Sequence, residues 1–455
     1  MKWIILLLVF TPLGITVVLA QSNKAPEKPN ILLIITDQQT ADAMSCAGNQ
    51  YLHTPAIDEL AASGVRFERN YVTQPLCLPF RSSLQTGCYP HEIGTISNGR
   101  PIQGDFPMLG KLVASAGYDC FYIGKWHVGA DLGSAGYKPY GFGGKDDVKA
   151  KAAEKFLLSE HEKPFFLTVS FMNPHNVCQL ARADADGSDL PDGPIETAPT
   201  DLNRLPPLPD NFDIPENEPT VIRKIQEVSR VKHYPTENWD ELTWRQYLWG
   251  YYRLVEKVDA EIGKVLTALK EGAYGDNTIV IFTSDHGEGV AMHHWNQKQI
   301  LYEQAVRTPL IIQWKGKTQK QVYPELVSNA LDIPVTILDI AGVEKPSTMR
   351  GVSLSPILEG KSIPARDFVV TETMFASGDR NLGGTGRMIR TKSFKYCIYD
   401  NGEKREQLFD MEKDPGEMNN LVYNEEYKAQ LKEHRELIAQ WAKETNDSEF
   451  PYFKQ

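Results

Sequence analysis

The sequence predicts an α/β protein, a large sheet flanked by helices with a smaller α+β subdomain at the C-terminal end. Three observations carry that prediction. Apolar runs too short for helices alternate with amphipathic helical stretches. Polar residues able to do chemistry gather just after those runs, where sites on open α/β sheets lie. Past about residue 360 the pattern shifts to short strands and one final helix.

Asn30 to Thr36 (NILLIIT) is a continuous apolar run ending in Asp37-Gln38, as expected of a central strand buried on both faces. Thr54-Pro55 opens a helix with Pro at its first position; Ile57, Leu60 and Ala61 form its stripe and Gly64 closes it. A second helix covers about Met108 to Ala116 and stops at Gly117, and the strand Cys120 to Ile123 leads into Gly124-Lys125-Trp126-His127. Pro164 precedes the strand Phe165 to Phe171, which runs out at Asn173-Pro174-His175. Residues 179–237, rich in Pro, Asp and Glu, show little periodicity and predict an irregular surface excursion with no core element. The helix Trp239 to Glu271 follows, with Leu248, Tyr252, Val255, Val258, Ile262, Val265 and Leu269 at three- and four-residue spacing. Asn277 to Thr283 is a buried strand that delivers Ser284-Asp285-His286-Gly287, and Leu310 to Trp314 is another. Beyond Gly360 the strands are Phe368 to Thr373, Arg387 to Thr391 and Tyr396 to Tyr399, and the last helix is about Glu425 to Lys443.

A chain of 455 residues exceeds what one hydrophobic core holds. The expected division is a signal peptide at 1–20, a large domain at 21–360 and a C-terminal subdomain at 361–455. Lys2, the apolar stretch from Trp3 and the small residues before Gln21 predict a signal peptide, expected to be cleaved on export. No later segment is long and apolar enough to span a bilayer, so no membrane contact is expected after cleavage. A net charge of −11 argues against nucleic acid as a partner, while a local basic pocket can still hold an anion. The cysteines at 46, 77, 88, 120, 178 and 397 show no zinc spacing and are expected to be mostly buried thiols.

Asp37-Gln38, Cys77 to Arg81, Lys125, His127, His175, Asp285-His286 and Lys298 all fall at or just past expected strand ends. Two acids, a Gln carbonyl and an imidazole suit one divalent cation, calcium or magnesium better than zinc because oxygen dominates. Cationic groups beyond it would hold a tetrahedral oxyanion. Taken singly, each residue reads as a satisfied polar group on a loop.

The stretch Cys77 to Gly87 (CLPFRSSLQTG) changes that reading. It resembles the sulfatase signature C-x-P-x-R followed by x-x-x-x-T-G, with Cys77, Pro79, Arg81, Thr86 and Gly87 in register. Phe80 stands where the family usually carries a small residue. PNILLIITDQ (29–38), TPAIDELAASGVRF (54–67), GKWHVG (124–129), Phe165 to His175, TSDHGE (283–288), KQILYEQAVRTP (298–309) and QLFDMEKDPGEMNNL (407–421) look like further sulfatase blocks. The resemblance implies an alkaline-phosphatase-like fold: a large mixed sheet flanked by helices, and a C-terminal subdomain of a four-stranded antiparallel sheet plus helix. It also implies that a maturation enzyme converts Cys77 to formylglycine (3-oxoalanine).

Carried over residue by residue, Asp37, Gln38, Asp285 and His286 would hold Ca2+ together with the oxygen of the modified Cys77. Arg81 would orient that residue, Lys125, His175 and Lys298 would contact sulfate, and His127 would lie beside the formylglycine hydroxyls. On that resemblance one hydroxyl of the hydrated aldehyde would attack sulfur, with Asp285 as base and His175 protonating the leaving alcohol, and the other would expel sulfate, with His127 taking its proton. The family usually has an acid at position 38 and often Asn at 286, so Gln38 and His286 depart from the commonest pattern. That pair, and the run Asn296 to Glu303, is similar to bacterial glycosaminoglycan sulfatases acting on 2-O-sulfated uronates of heparin or chondroitin fragments. Arg100, Lys232, His233 and Gln299 are the candidate substrate contacts. Choline sulfatases, 6-O-sulfatases and phosphonate monoester hydrolases are the alternative enzymes, and a catalytically dead carbohydrate-binding protein the alternative of another class.

Overall fold

In the computed structural model, residues 28–141, 143–181, 190–229, 236–377 and 380–448 are described. The expected signal peptide, Lys232 and His233 lie outside them. The large sheet contains β1 (Asn30–Asp37), β2 (Val65–Tyr71), β3 (Asp119–Gly124), β4 (Lys138–Gly141), β5 (Phe165–Pro174), β6 (Thr278–Ser284), β7 (Leu310–Trp314) and β8 (Gln321–Ser328). Their order across the sheet is β4-β3-β5-β1-β6-β7-β2-β8. β7 runs antiparallel to both neighbours and the other pairings are parallel. The helices are α1 (Pro55–Ser63), α2 (Cys77–Thr86), α3 (Leu109–Ser115), α4 (Asp146–Leu157), α5 (Val177–Leu180), α6 (Thr220–Ser229), α7 (Glu241–Glu271), α8 (Glu303–Val306), α9 (Asn329–Ala341), α10 (Ser355–Leu358) and α11 (Lys428–Thr445).

The period-two alternation of strands explains the three layers. In β1, Leu32 and Ile34 pack with α1, α4 and α7 through Ile57, Leu60, Phe156, Ile262 and Val265. Ile31, Leu33 and Ile35 turn to the opposite face, where Phe80 and Leu84 of α2, Val113 of α3 and Ile333 and Ile337 of α9 cover them. Because both faces are covered, β1 and β6 are buried along their whole length. Their continuous apolar runs have this cause.

The second sheet is antiparallel, ordered β12-β11-β10-β9, from β9 (Phe368–Ser377), β10 (Arg380–Thr391), β11 (Phe394–Tyr399) and β12 (Glu406–Asp410). α11 covers one face, where Leu431, Ile438 and Trp441 meet Val370, Ile389, Tyr396 and Leu408. The other face joins the main core through Phe375, Met388, Tyr399 and Phe409. A fully buried Lys395 ties this sheet to the rest, 3.2 Å from Glu303 and 2.7 Å from Glu417.

The excursion differs from the sequence expectation. Within 179–237 lies α6, whose Val221 and Ile222 belong to the main core. It is seated by pairing distant in sequence: Thr220 N–H donates to the Glu403 carbonyl, and Glu403 N–H to the Thr220 hydroxyl. Local periodicity does not report such contacts. All six cysteines are unpaired thiols, with Cys46 and Cys178 half-buried and the rest buried. Among the described residues no helix is long and apolar enough to cross a membrane.

Candidate active site

The carboxyl edge of the large sheet gathers the polar residues. Asp37 ends β1, Lys125 and His127 follow β3, His175 follows β5, Asp285 and His286 follow β6, and Cys77 opens α2. Gln38, Arg81, Asp285 and His286 are, like Asp37 and Cys77, essentially buried.

Arg81 organises the two acids. Its Nε donates to Asp285 Oδ2 at 2.9 Å and one terminal nitrogen to Asp37 Oδ2 at 3.1 Å. The other terminal nitrogen donates to the Lys125 carbonyl and the Ser170 hydroxyl, both at 2.8 Å. The planar fork thus fixes two carboxylates and two strand ends at once. Lys125 Nζ lies 2.6 Å from Asp37 Oδ2, and Lys298 Nζ is 3.4 Å from Cys77 Sγ.

His286 is fixed through its far ring nitrogen. Its Nδ1 is 2.9 Å from the Gly287 carbonyl, which only accepts, so Nδ1 carries the proton. Nε2 then faces the site, 3.1 Å from Cys77 Sγ. Donor atoms of Asp37, Cys77, Asp285 and His286 all lie within 4.8 Å of one another. Two carboxylates, the imidazole Nε2 and the side-chain tip at position 77 fit one hard divalent cation.

The electrostatics favour negative charge at that tip. Burial raises the Cys77 thiol, yet Lys125, Lys298 and His286 outweigh it and carry the group well below its ordinary range. Burial and Cys77 push the Asp37 carboxyl up, but Lys125, His175 and Arg81 together hold it well below the usual range. Asp285 moves upward through burial and the Asp37 charge, against His286 and Arg81. Burial lowers His175, but Cys178 and Asp37 raise it to about 9 in spite of Lys298.

Gln38 Oε1 accepts from Lys298 Nζ at 2.8 Å, and its backbone N–H donates to Asp285 Oδ1 at 3.1 Å. His127 stands close enough to Cys77 to help hold its thiol down, and its Nδ1 is buried without a hydrogen-bonding partner among the described residues. Gln38 (φ 73°), His127 (φ 42°), Gln297 (φ 85°) and Gln299 (φ 75°) all have left-handed backbones, strain of the kind that clusters at functional sites.

The substrate candidates are less convergent. Arg100 lies on the loop packed against Gly129, just beyond His127, and is half-buried. Gln299 has both ends of its amide committed to the Ala376 backbone, donating at 3.0 Å and accepting at 2.8 Å. Sequence reasoning gave no role to Ser170, Cys178, Tyr247, Glu288 or Gln297, all of which touch this cluster. Glu288 sits inside the quoted TSDHGE block, the one signal that pointed to it.

Comparison with known proteins agrees with this geometry. Residues 29–343 match the family model described as Sulfatase, and residues 291–444 match that of the N-sulphoglucosamine sulphohydrolase C-terminal region. The chain is 33% identical to the Delta 4,5-hexuronate-2-O-sulfatase of Bacteroides thetaiotaomicron, over 93% of this chain and 91% of that one. It is 27% identical to an N-acetylglucosamine-6-O-sulfatase of the same organism, over 93% and 88%. The solved structure of a 2-O GAG sulfatase superposes with a TM-score of 0.82 at 31% identity, covering 92% of this chain and 93% of that one. With the family model spanning most of the chain, and a buried cation-lined cysteine where the motif requires it, the chain belongs to the sulfatase family, the sulfuric ester hydrolases of alkaline-phosphatase-like fold.

Proposed function

We propose that this sulfatase removes the 2-O-sulfate from the non-reducing-end, unsaturated uronate of heparin, heparan or chondroitin fragments, by exo action in a bacterial periplasm. The observation that carries the substrate is the likeness to a hexuronate-2-O-sulfatase over 93% of the chain. The proposed nucleophile is formylglycine made from Cys77 by a maturation enzyme. Asp37, Gln38, Asp285, His286 and the oxygen at position 77 would hold Ca2+.

A divalent cation there supplies charge stabilisation and eases deprotonation of an oxygen it holds. The chain's own groups do the rest. Arg81 clamps Asp37 and Asp285, so the acids do not have to reorganise as charge shifts. Lys125 and Lys298 neutralise the sulfate oxygens. His175, raised to about 9, keeps its proton at neutral pH and delivers it to the leaving alcohol oxygen. His127, beside position 77, takes the proton released from that side chain in the second half-reaction. Arg100 and the segment holding Lys232 and His233 are the proposed contacts for the uronate carboxylate.

The test has two parts. Mass spectrometry of the peptide carrying residue 77 reads the aldehyde, and sulfate release from 2-O-, 6-O- and N-sulfated disaccharides reads position. Release from the 2-O-sulfated unsaturated uronate alone is expected. Release only from 6-O-sulfated glucosamine would replace this substrate with that of the second relative. Unchanged activity of Cys77→Ala would remove the nucleophile itself.

A further inference from the structure

Glu288 stands directly behind Gln38 and takes no part in the chemistry above. It is fully buried. Its Oε2 accepts from Gln38 Nε2 at 2.5 Å, and its Oε1 accepts from the Tyr247 hydroxyl at 2.6 Å and from the Gln297 backbone N–H. Three donors converging on one carboxyl describe an ionised, acceptor-only group. A buried carboxylate persists only where such partners compensate its lost hydration.

The same contacts decide which way round the Gln38 amide lies. Its two ends are nearly isosteric, so only the network distinguishes them. At the far end Oε1 accepts from the Lys298 ammonium at 2.8 Å. Turned over, the amide would press its NH2 against an ammonium and its carbonyl against a carboxylate. Both ends therefore select one orientation. The backbone is held as firmly: Gln38 keeps φ 73° while its carbonyl accepts from the Tyr251 hydroxyl at 3.0 Å. A strained residue pinned at N–H, carbonyl and both side-chain termini is a positioned group, not a loop residue at rest.

We propose that Glu288, held by Tyr247 and the Gln297 N–H, is a positioning residue. It locks the Gln38 amide with its oxygen toward Lys298, on the side of Cys77 where the proposed cation site lies, and sets behind it the negative charge that an acid at position 38 would carry. The inference rests on reading Asp37, Gln38, Asp285 and His286 as that site. A neutral amide is a weaker ligand for a hard cation than a carboxylate. Donation from Nε2 to a carboxylate polarises the amide and puts more electron density on Oε1.

Glu288→Gln is the sharp perturbation. The new amide keeps an oxygen for Tyr247 and Gln297 and places its NH2 where Oε2 was, against Gln38 Nε2. The clash is relieved by rotating the Gln38 amide, which turns its oxygen away from the site. Calorimetric titration of Ca2+ into the formylglycine-bearing protein is expected to show at least roughly tenfold weaker binding, with the thermal midpoint in chelator close to the parent's. The exchange Q38E/E288Q reverses the polarity of the hydrogen bond and moves the charge forward, so it should restore affinity to about the parent level. Tyr247→Phe, which removes one donor, should weaken Ca2+ binding by a smaller factor. E288Q binding Ca2+ like the parent, or the exchange variant binding no better than E288Q, would overturn the proposal. Should E288Q fail to fold, unchanged affinity in Tyr247→Phe together with no recovery in the exchange variant would overturn it. A parent protein that releases sulfate without binding Ca2+ would sink the cation site and this inference with it. A parent that binds while E288Q is unaltered would sink this inference alone.

Discussion

Replacing Arg81 tests whether one guanidinium holds the two site carboxylates in place. Asp37 and Asp285 have no exposure, and Arg81 reaches both, at 3.1 and 2.9 Å. Removing one partner of a buried ion pair costs about 3–5 kcal/mol, chiefly because the remaining charge is left uncompensated. Lys125 still pairs with Asp37 at 2.6 Å, so Asp285 suffers the larger loss. We therefore expect Arg81→Met to lose roughly 3–5 kcal/mol of unfolding free energy. Arg81→Lys, which keeps a charge but reaches one acceptor well, should lose about 1.5–3 kcal/mol, the scale of a charged hydrogen bond. Parent and variants should be made without the maturation enzyme, so that residue 77 is a thiol in each and the motif's role in maturation does not enter. Urea unfolding is read in chelator and again in excess Ca2+. The deficit should shrink in Ca2+, because a divalent cation between the same carboxylates supplies the missing positive charge. A loss below about 0.5 kcal/mol, the ordinary range for surface substitutions, would refute the reasoning; so would a deficit that Ca2+ leaves unchanged.

Two further predictions follow from the same cluster. Ca2+ should raise the thermal midpoint of the parent, since a ligand at about 100 times its Kd adds about 2.7 kcal/mol, and Asp285→Asn should abolish most of that shift; equal shifts in both would place the ion elsewhere. With His175 at about 9 and its protonated form as the acid, kcat should hold through neutral pH and fall as pH rises through about 9. A pH–rate profile of His175→Gln that kept this alkaline limb would assign it to another group.

Much of the scaffold was legible because the parallel strands are buried on both faces. β1, β5 and β6 show as uninterrupted apolar runs, and their ends deliver Asp37, His175 and Asp285. β2 (VRFERNY) is not legible as a strand because Arg66, Glu68 and Arg69 break its apolar pattern, exposing part of one face. β8 carries Pro324, a residue that argues against a strand unless it lies at a sheet edge, where β8 is found. The core role of α6 depends on Glu403 and its neighbours, far along the chain. Glu288 was hidden for a related reason. In sequence it is one more acid after a motif; its meaning lies in Gln38 and Tyr247, residues from other elements.

The second sheet also bears on the site, through the segment that carries Lys298. Gln297 and Gln299 flank that lysine with left-handed backbones at φ 85° and φ 75°, conformations that a free glutamine would leave. Glu288 holds the first through its N–H. The second is fixed by the Pro75 carbonyl, by both backbone groups of Ala376 and by the Thr373 hydroxyl, which donates to the Gln299 carbonyl at 2.6 Å. Ala376 and Thr373 belong to β9, and Pro75 to the turn that leads into Cys77. One short strained segment is thus stretched between the turn that leads into Cys77 and the C-terminal sheet, and Lys298 projects from it to within 3.4 Å of Cys77 Sγ. A long, flexible lysine gains its precision from its backbone, not from its side chain. In this sense β9, by holding Gln299, helps to place Lys298 beside Cys77.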